Sequence, residues 1–199
     1  KNYETKVLSW NTYSLELNDK SILDNRWINS FKLIKAEGDT LKIEVKKALE
    51  NSKDVFVVLG HEKEKCEKEL EDFDLNTIYN PNYKKGMGTT LSCAINHTKE
   101  FNHTMVMLCD QPFIPMSHFQ ALKENIQNEN IIASLYEKNR NSKVPAIFPK
   151  KYYDELLKLN EDIGAKEILQ KESCINIQLE KDFCIDIDTL EDMKFLEIL

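Results

Sequence analysis

The chain has 199 residues, with 27 basic and 34 acidic side chains, a formal net charge of -7 and 41% apolar residues. That length is enough to bury a sizeable core, and residues 1–199 are read as a single α/β domain. Lysines are scattered among glutamates rather than gathered into a stripe, so no nucleic-acid or membrane partner is expected. No apolar run approaches the roughly 20 residues that cross a bilayer, and the N-terminus lacks the basic-then-apolar pattern of a secretory signal. A soluble, cytoplasmic protein is the expectation.

Five cysteines, at 66, 93, 109, 174 and 184, are odd in number and form no C-x-x-C pair. They suggest neither a zinc site nor a disulfide framework. Four histidines, at 61, 97, 103 and 118, have no ligand spacing, so any metal is expected on carboxylates.

In chain order, residues 5–10 (TKVLSW) read as a strand, 40–51 (TLKIEVKKALEN) as a helix, and 54–60 (DVFVVLG) as a buried strand ended by glycine. A helix around 61–71, a short strand near 76–79, a helix from about 88 to 98 and a strand at 104–109 follow. Helix 116–127, strand 130–136, helices 150–159 and 164–170, strand 183–187 and a helix from 189 close the series. Strands alternating with helices at this pitch predict a mostly parallel sheet covered on both faces, a three-layer α/β/α arrangement. Ligands of such sheets bind beyond the carboxyl ends of the strands.

Three constellations could carry chemistry. In TMVMLCDQPFIP (104–115) an apolar strand delivers Asp110 at its tip, where a rigid carboxylate can hold Mg²⁺; alternatively Asp110 caps the helix after Pro115 or closes a turn with Pro112. In FCIDIDTLEDM (183–193) alternation places Asp186 and Asp188 on one face, although Asp188 with Thr189 could equally start the last helix. Two carboxylates from two strand ends would suit a Mg²⁺-nucleotide whose phosphates complete the coordination. In NPNYKKGMGTTLSCAI (80–95) glycines 86 and 88 turn directly into a helix, which exposes backbone N–H groups to an anion or a base edge, or is a plain glycine turn with a threonine cap.

Together these segments resemble the MobA-like NTP-transferase family, in particular its molybdenum cofactor cytidylyltransferase branch. The resemblance rests on VVLG (57–60), NPNYKKGMGTTL (80–91), MLCDQPFI (107–114), VPAIF (144–148) with DIGAKEIL (162–169), and DIDTLEDM (186–193), in that order. It implies a Rossmann-like, nucleotide-diphospho-sugar transferase-like fold and a Mg²⁺-dependent nucleotidyltransferase. Such an enzyme would pass a nucleotidyl group, CMP by preference, from a nucleoside triphosphate (CTP) to a phosphorylated acceptor such as molybdopterin, releasing pyrophosphate. Asp110 would match the catalytic metal-holding aspartate, and Asp186 or Asp188 the second acidic ligand. Gly86, Met87, Gly88, Thr89 and Thr90 would line the nucleobase, and Pro145, Asp162, Gly164, Ala165 and Lys166 would border the acceptor.

The family's phosphate loop, L-A-A-G-x-S-x-R-M-G followed by P-K-L-L, has no direct counterpart, because the first glycine here is Gly38. Phe31 to Ile34 resemble the P-K-L-L segment, which makes Lys32 the expected phosphate-binding and catalytic lysine and Arg26 the expected arginine beside the nucleotide. Lys143 stands where the family shows a glycine. A second reading follows from the altered loop: a relative that keeps the fold and acts as a nucleotide- or protein-binding module without turnover.

Overall fold

Short β-branched and apolar runs such as VFVVL and MVML are too brief for buried helices and too apolar for exposed strands, so they become the middle of a sheet. The structure is a computed structural model that describes residues 5–9, 40–126, 129–136, 141–187 and 192. Strand β1 (Thr5–Ser9) is followed by helix α1, described over 40–51, strand β2 (Val55–Leu59), helix α2 (Lys63–Glu69) and strand β3 (Asn76–Tyr79). A 3-10 turn at Tyr83–Lys85 leads into α3 (Met87–His97), then β4 (His103–Leu108), α4 (Met116–Glu124), β5 (Ile131–Tyr136) and β6 (Asn141–Pro149). A 3-10 turn at Lys150–Tyr152, the short helices α5 (Tyr153–Leu156) and α6 (Lys166–Lys171), β7 (Cys174–Leu179) and a 3-10 turn at Lys181–Phe183 complete the described elements.

The seven strands form one sheet in the order β3-β2-β1-β4-β6-β5-β7. Pairings β1 with β2, β1 with β4, β2 with β3 and β5 with β7 are parallel, whereas β6 runs antiparallel to both β4 and β5. Six strands therefore point one way and β6 alone opposes them. As a result, the ends of β4 and β5 and the beginning of β6 meet at one edge of the sheet.

Alternation sorts the side chains into two cores. Val55, Val57, Leu59, Met105, Met107, Ile132 and Ile147 face one side, where they meet Leu41, Val45 and Ala48 of α1 and Phe119 and Leu122 of α4. Their neighbours Val106, Ala133, Ala146 and Phe148 face the other, against Leu91 and Ile95 of α3, Tyr153 and Leu156 of α5, and Ile168 and Leu169 of α6. Residues 41, 45 and 48 recur at helical spacing, which is why TLKIEVKKALEN settles as a helix on the sheet.

Most elements lie where periodicity predicts them, with three corrections and two additions, the strands β6 and β7, at which no element is expected. Residues 183–187 are not a strand: the place beside β5 is taken by β7, and after the turn at Lys181–Phe183 the chain crosses the sheet's end without entering the ladder. The helix expected over 150–159 is a 3-10 turn and the four-residue α5. Helix α3 starts at Met87 with Gly86 in the cap position, so no threonine caps it. The helix expected from 189 falls outside the described residues.

One polar relay locks α4 to the strands. Buried Ser134 has a single hydroxyl proton, which it donates to the Pro145 carbonyl at 2.7 Å, so the 2.8 Å contact with His118 requires the imidazole Nε2–H to be the donor. Burial pushes the His118 pKa down to about 4 from its ordinary 6.5, so the ring is neutral in the folded protein. The unfolded chain takes up a proton near pH 6.5 and the folded one near 4, so stability present above pH 6.5 is lost as pH falls toward 4. Urea unfolding across that range should show the decline, and His118→Gln, which keeps a donor and cannot titrate, should flatten it.

Candidate active site

Strand β4 ends at Leu108, and the chain turns at once through the buried Cys109 and then Asp110, so that Asp110 lies just beyond the buried run Met105, Val106 and Met107. Helix α4 has Pro115 at its cap position and no side-chain cap, so Asp110 does not serve as that cap. The Asp110 carbonyl accepts the Ile187 backbone N–H at 2.7 Å. That bond brings the segment after β7, and with it Asp186, to the tip of β4.

Gln111 completes the link. Its Nε2 donates to the Tyr136 hydroxyl at 2.8 Å and to Asp186 Oδ1 at 3.0 Å. A carboxylate only accepts, and the Tyr136 hydroxyl spends its proton on the Val144 carbonyl at 3.1 Å, so the amide nitrogen must face both. Burial first, and the charges of Asp186, Cys184 and Asp110 next, push the Tyr136 pKa upward, which keeps the phenol protonated and the bond to Val144 intact. Oδ1 of Asp110 and Oε1 of Gln111 are both withdrawn from solvent.

The loop after Asp110 is held from behind by α1. Lys47 donates to Glu44 Oε1 at 2.7 Å and to the Pro112 carbonyl, with Glu44 buried in the helix's inner face. A buried glutamate would be costly alone, and this pairing turns it into an anchor for the turn at Gln111 to Ile114.

At the neighbouring part of the edge lies the glycine turn. Gly86 has φ +117° and ψ 174°, a conformation open essentially to glycine alone, and a Cβ there would sit 2.4 Å from the Glu161 carbonyl carbon. Gly88 is similarly close, with its notional Cβ 2.7 Å from the Asn160 carbonyl oxygen. The two glycines thus allow the 160–162 loop to lie on the start of α3. Gly88 N–H donates to the Glu161 carbonyl at 2.8 Å and Met87 N–H to Asp162 Oδ1 at 3.3 Å, while Thr89 N–H returns to Gly86. The sequence predicts free amides here, and the structure shows these three already bonded within the chain.

Asn80 organises the same loop. Its side-chain nitrogen donates to the hydroxyls of Thr89 and Thr90 at 3.1 and 3.0 Å, and its oxygen accepts the Asn82 N–H at 2.9 Å. Thr90 is buried, so its hydroxyl serves this network. Gly164, at φ +57°, lies against the Met87 side chain. Asp162, Gly164 and Ala165 therefore adjoin Gly86 to Gly88, whereas Pro145 sits with the Asp110 edge through β6.

Of the expected site residues, Asp110 and Asp186 are brought together and the 86–90 and 162–166 segments are brought against each other. Arg26, Lys32 and Asp188 lie outside the described residues. The sequence reading missed Asn80, Gln111, Tyr136 and Lys47. The first two had a signal, an amide directly before a proline within a motif already singled out, whereas Tyr136 and Lys47 had none. Gly86→Ala should destabilise the protein by about 2 kcal/mol or more and raise amide exchange in 160–162, measured by urea unfolding and hydrogen exchange.

A search of curated proteins returned no match. Among solved structures, a nucleotidyl transferase from Methanothermobacter thermautotrophicus superposes with a TM-score of 0.72 at 13% identity, covering 100% of this chain and 96% of its own. The Rv0371c protein of Mycobacterium tuberculosis H37Rv in complex with manganese superposes at 0.68 and 16% identity, covering 97% and 96%. A 4-diphosphocytidyl-2C-methyl-D-erythritol synthase from Anaerococcus prevotii does so at 0.66 and 13%, covering 98% and 95%. At these identities the likeness establishes the fold, which is of the nucleotide-diphospho-sugar transferase type. The model of the MobA-like NTP transferase domain matches residues 32–176, well over half the chain. With Asp110, Gln111 and the 80–91 loop inside that match, the chain belongs to the MobA-like NTP transferase family of nucleotidyltransferases.

Proposed function

We propose that this protein is a Mg²⁺-dependent enzyme that transfers CMP from CTP to a phosphorylated acceptor of the molybdopterin kind and releases pyrophosphate. The observation that carries the proposal is the convergence of Asp110 and Asp186 at the strand edge, joined by Gln111 and by the Ile187 N–H bond to the Asp110 carbonyl. The donors are all oxygens, which suits a hard divalent cation, and two carboxylates leave the remaining positions to phosphate oxygens and water. Asp110 and Asp186 would hold the ion, with Asp188 beside them in sequence. A bound magnesium ion supplies neutralisation of the triphosphate charge.

The chain's own groups do the positioning. Gln111 fixes the rotamer of Asp186, Tyr136 stays protonated and holds the start of β6, and Lys47 keeps the Gln111 to Ile114 turn from shifting. The segments at 86–90 and 162–166 adjoin each other, which suits a base and an acceptor brought side by side for in-line attack of the acceptor phosphate on the α-phosphorus. Lys32 and Arg26 would meet the phosphates. The cytidine preference rests on the form of the 86–90 loop, and the name of the Anaerococcus neighbour points the same way.

A second reading, a binding module without turnover, is favoured by two features: no glycine occurs before Gly38 to form a close phosphate wrap, and the amides of Met87 to Thr89 are already spent. Calorimetric titration with CTP, GTP and ATP, with and without Mg²⁺, separates the two. The enzyme reading expects Mg²⁺-dependent binding of CTP and pyrophosphate release with an acceptor, whereas the module reading expects neither turnover nor metal dependence. Asp110→Asn should weaken Mg²⁺-dependent binding about tenfold or more with little change in melting temperature, and unaltered binding would remove the metal assignment. Lys32→Ala should weaken triphosphate binding more than monophosphate binding; equal losses would take Lys32 out of its role.

A further inference from the structure

Between Ala133 and Ser134 the pairing of β5 with β6 steps from Ala146 to Lys143, so Val144 and Pro145 bulge out of the ladder. The step returns Lys143 to the same face as Ser134 and hence Tyr136. There the Lys143 ammonium stands 4.7 Å from the centre of the Tyr136 ring. The same ring carries the hydroxyl that receives Gln111 Nε2, which in turn reaches Asp186. Lys143 is half-buried, and among the described residues it forms no salt bridge.

A half-buried ammonium loses water, and the face of one tyrosine recovers only part of that loss. An aromatic face also leaves the three N–H donors of lysine available, because it binds the cation without taking a hydrogen bond. The cation is held beside the carboxylate edge by a ring that the edge itself fixes through Gln111 and Val144. Its place on β6, next to the bulged Pro145, differs from that of the 86–90 loop at the start of α3. We infer that Lys143 is a specificity-determining residue that takes an anionic phosphate group of the acceptor substrate, the Tyr136 ring serving as its platform. This inference rests on the nucleotidyltransferase reading for the word acceptor, and on the local geometry alone for the anion subsite.

The test uses inorganic phosphate as the probe, titrated calorimetrically into full-length protein saturated with Mg²⁺ and α,β-methylene-CTP, which fills the triphosphate site. Phosphate should still bind, Lys143→Met should weaken it about tenfold, and Lys143→Arg should restore most of the loss, because a charge-assisted hydrogen bond is at stake. Affinity for the nucleotide analogue should stay within about twofold in both variants, since Lys143 is placed outside the nucleotide's contacts. Equal phosphate affinity in the wild type and Lys143→Met overturns the inference. So does phosphate binding that disappears when the analogue is added, because the anion would then belong to the triphosphate site. If the wild type binds no analogue, the nucleotide reading fails, and Lys143-dependent phosphate binding by the nucleotide-free protein would still uphold the anion subsite, while Lys143-independent binding or none would end it.

Discussion

A single backbone bond, from the Ile187 N–H to the Asp110 carbonyl at 2.7 Å, determines what the edge of this sheet can become. Without it the segment after β7 would leave the sheet at its far side, since β7 is the last strand in the order and β4 the fourth. With it the chain doubles back over the end of β5 and the start of β6 and delivers a carboxylate to the tip of β4. Phe183 and Cys184 pack against the core on the way, so the crossing is fastened by apolar contact as well as by the bond. The bond from Gln111 to Asp186 presupposes that crossing, and it ties the crossing to the contacts that already join Gln111, Tyr136 and Val144 across β4, β5 and β6.

The lone antiparallel strand is the second device. A parallel β6 would begin at the opposite edge and place Lys143 and Pro145 far from Asp110. Because β6 is reversed, its first residues lie beside the last residues of β4 and β5, and its bulge absorbs a proline that a regular ladder would reject. Ser134 turns the bulge into a fixed structure by donating to the Pro145 carbonyl, and His118 supports Ser134 from α4.

These devices explain what could and could not be read from the sequence. Strands β2 and β4 and helices α1 and α3 declare themselves, because their periodicity matches the burial they achieve. Strand β6 is hidden by Pro145, which demotes a run to a non-strand until a bulge is known to receive it. Strand β7 is hidden because an edge strand is buried along little of its length, and CINIQL carries less apolar weight than FCIDI. Alternation in FCIDI is real, yet alternation specifies a strand only when a partner edge is free, and β7 had already taken that edge. In the site, Asp110 was legible because an apolar run ended in a charge. Asn80 and Gln111 were marked only as amides before a proline; what Gln111 does depends on Tyr136 and Asp186, 25 and 75 residues away. The role of the paired glycines was half legible: they mark a tight approach, but what approaches them is the chain's own 160–162 loop.

Charge accounts for the rest. Lys47 is committed to Glu44 and to the Pro112 carbonyl, so it holds the Gln111 to Ile114 turn without neutralising Asp110 or Asp186. Tyr136 remains protonated and Gln111 is neutral, so neither offsets the two carboxylates they orient. Two acids fixed at one strand edge by neutral groups form a negative site that repels a bare triphosphate, and the repulsion is strong where water is scarce. On the proposed reading such a site would admit a polyphosphate only together with cations. Lys143, held on an aromatic face instead of on a carboxylate, is a cation of this edge whose charge is left for a ligand.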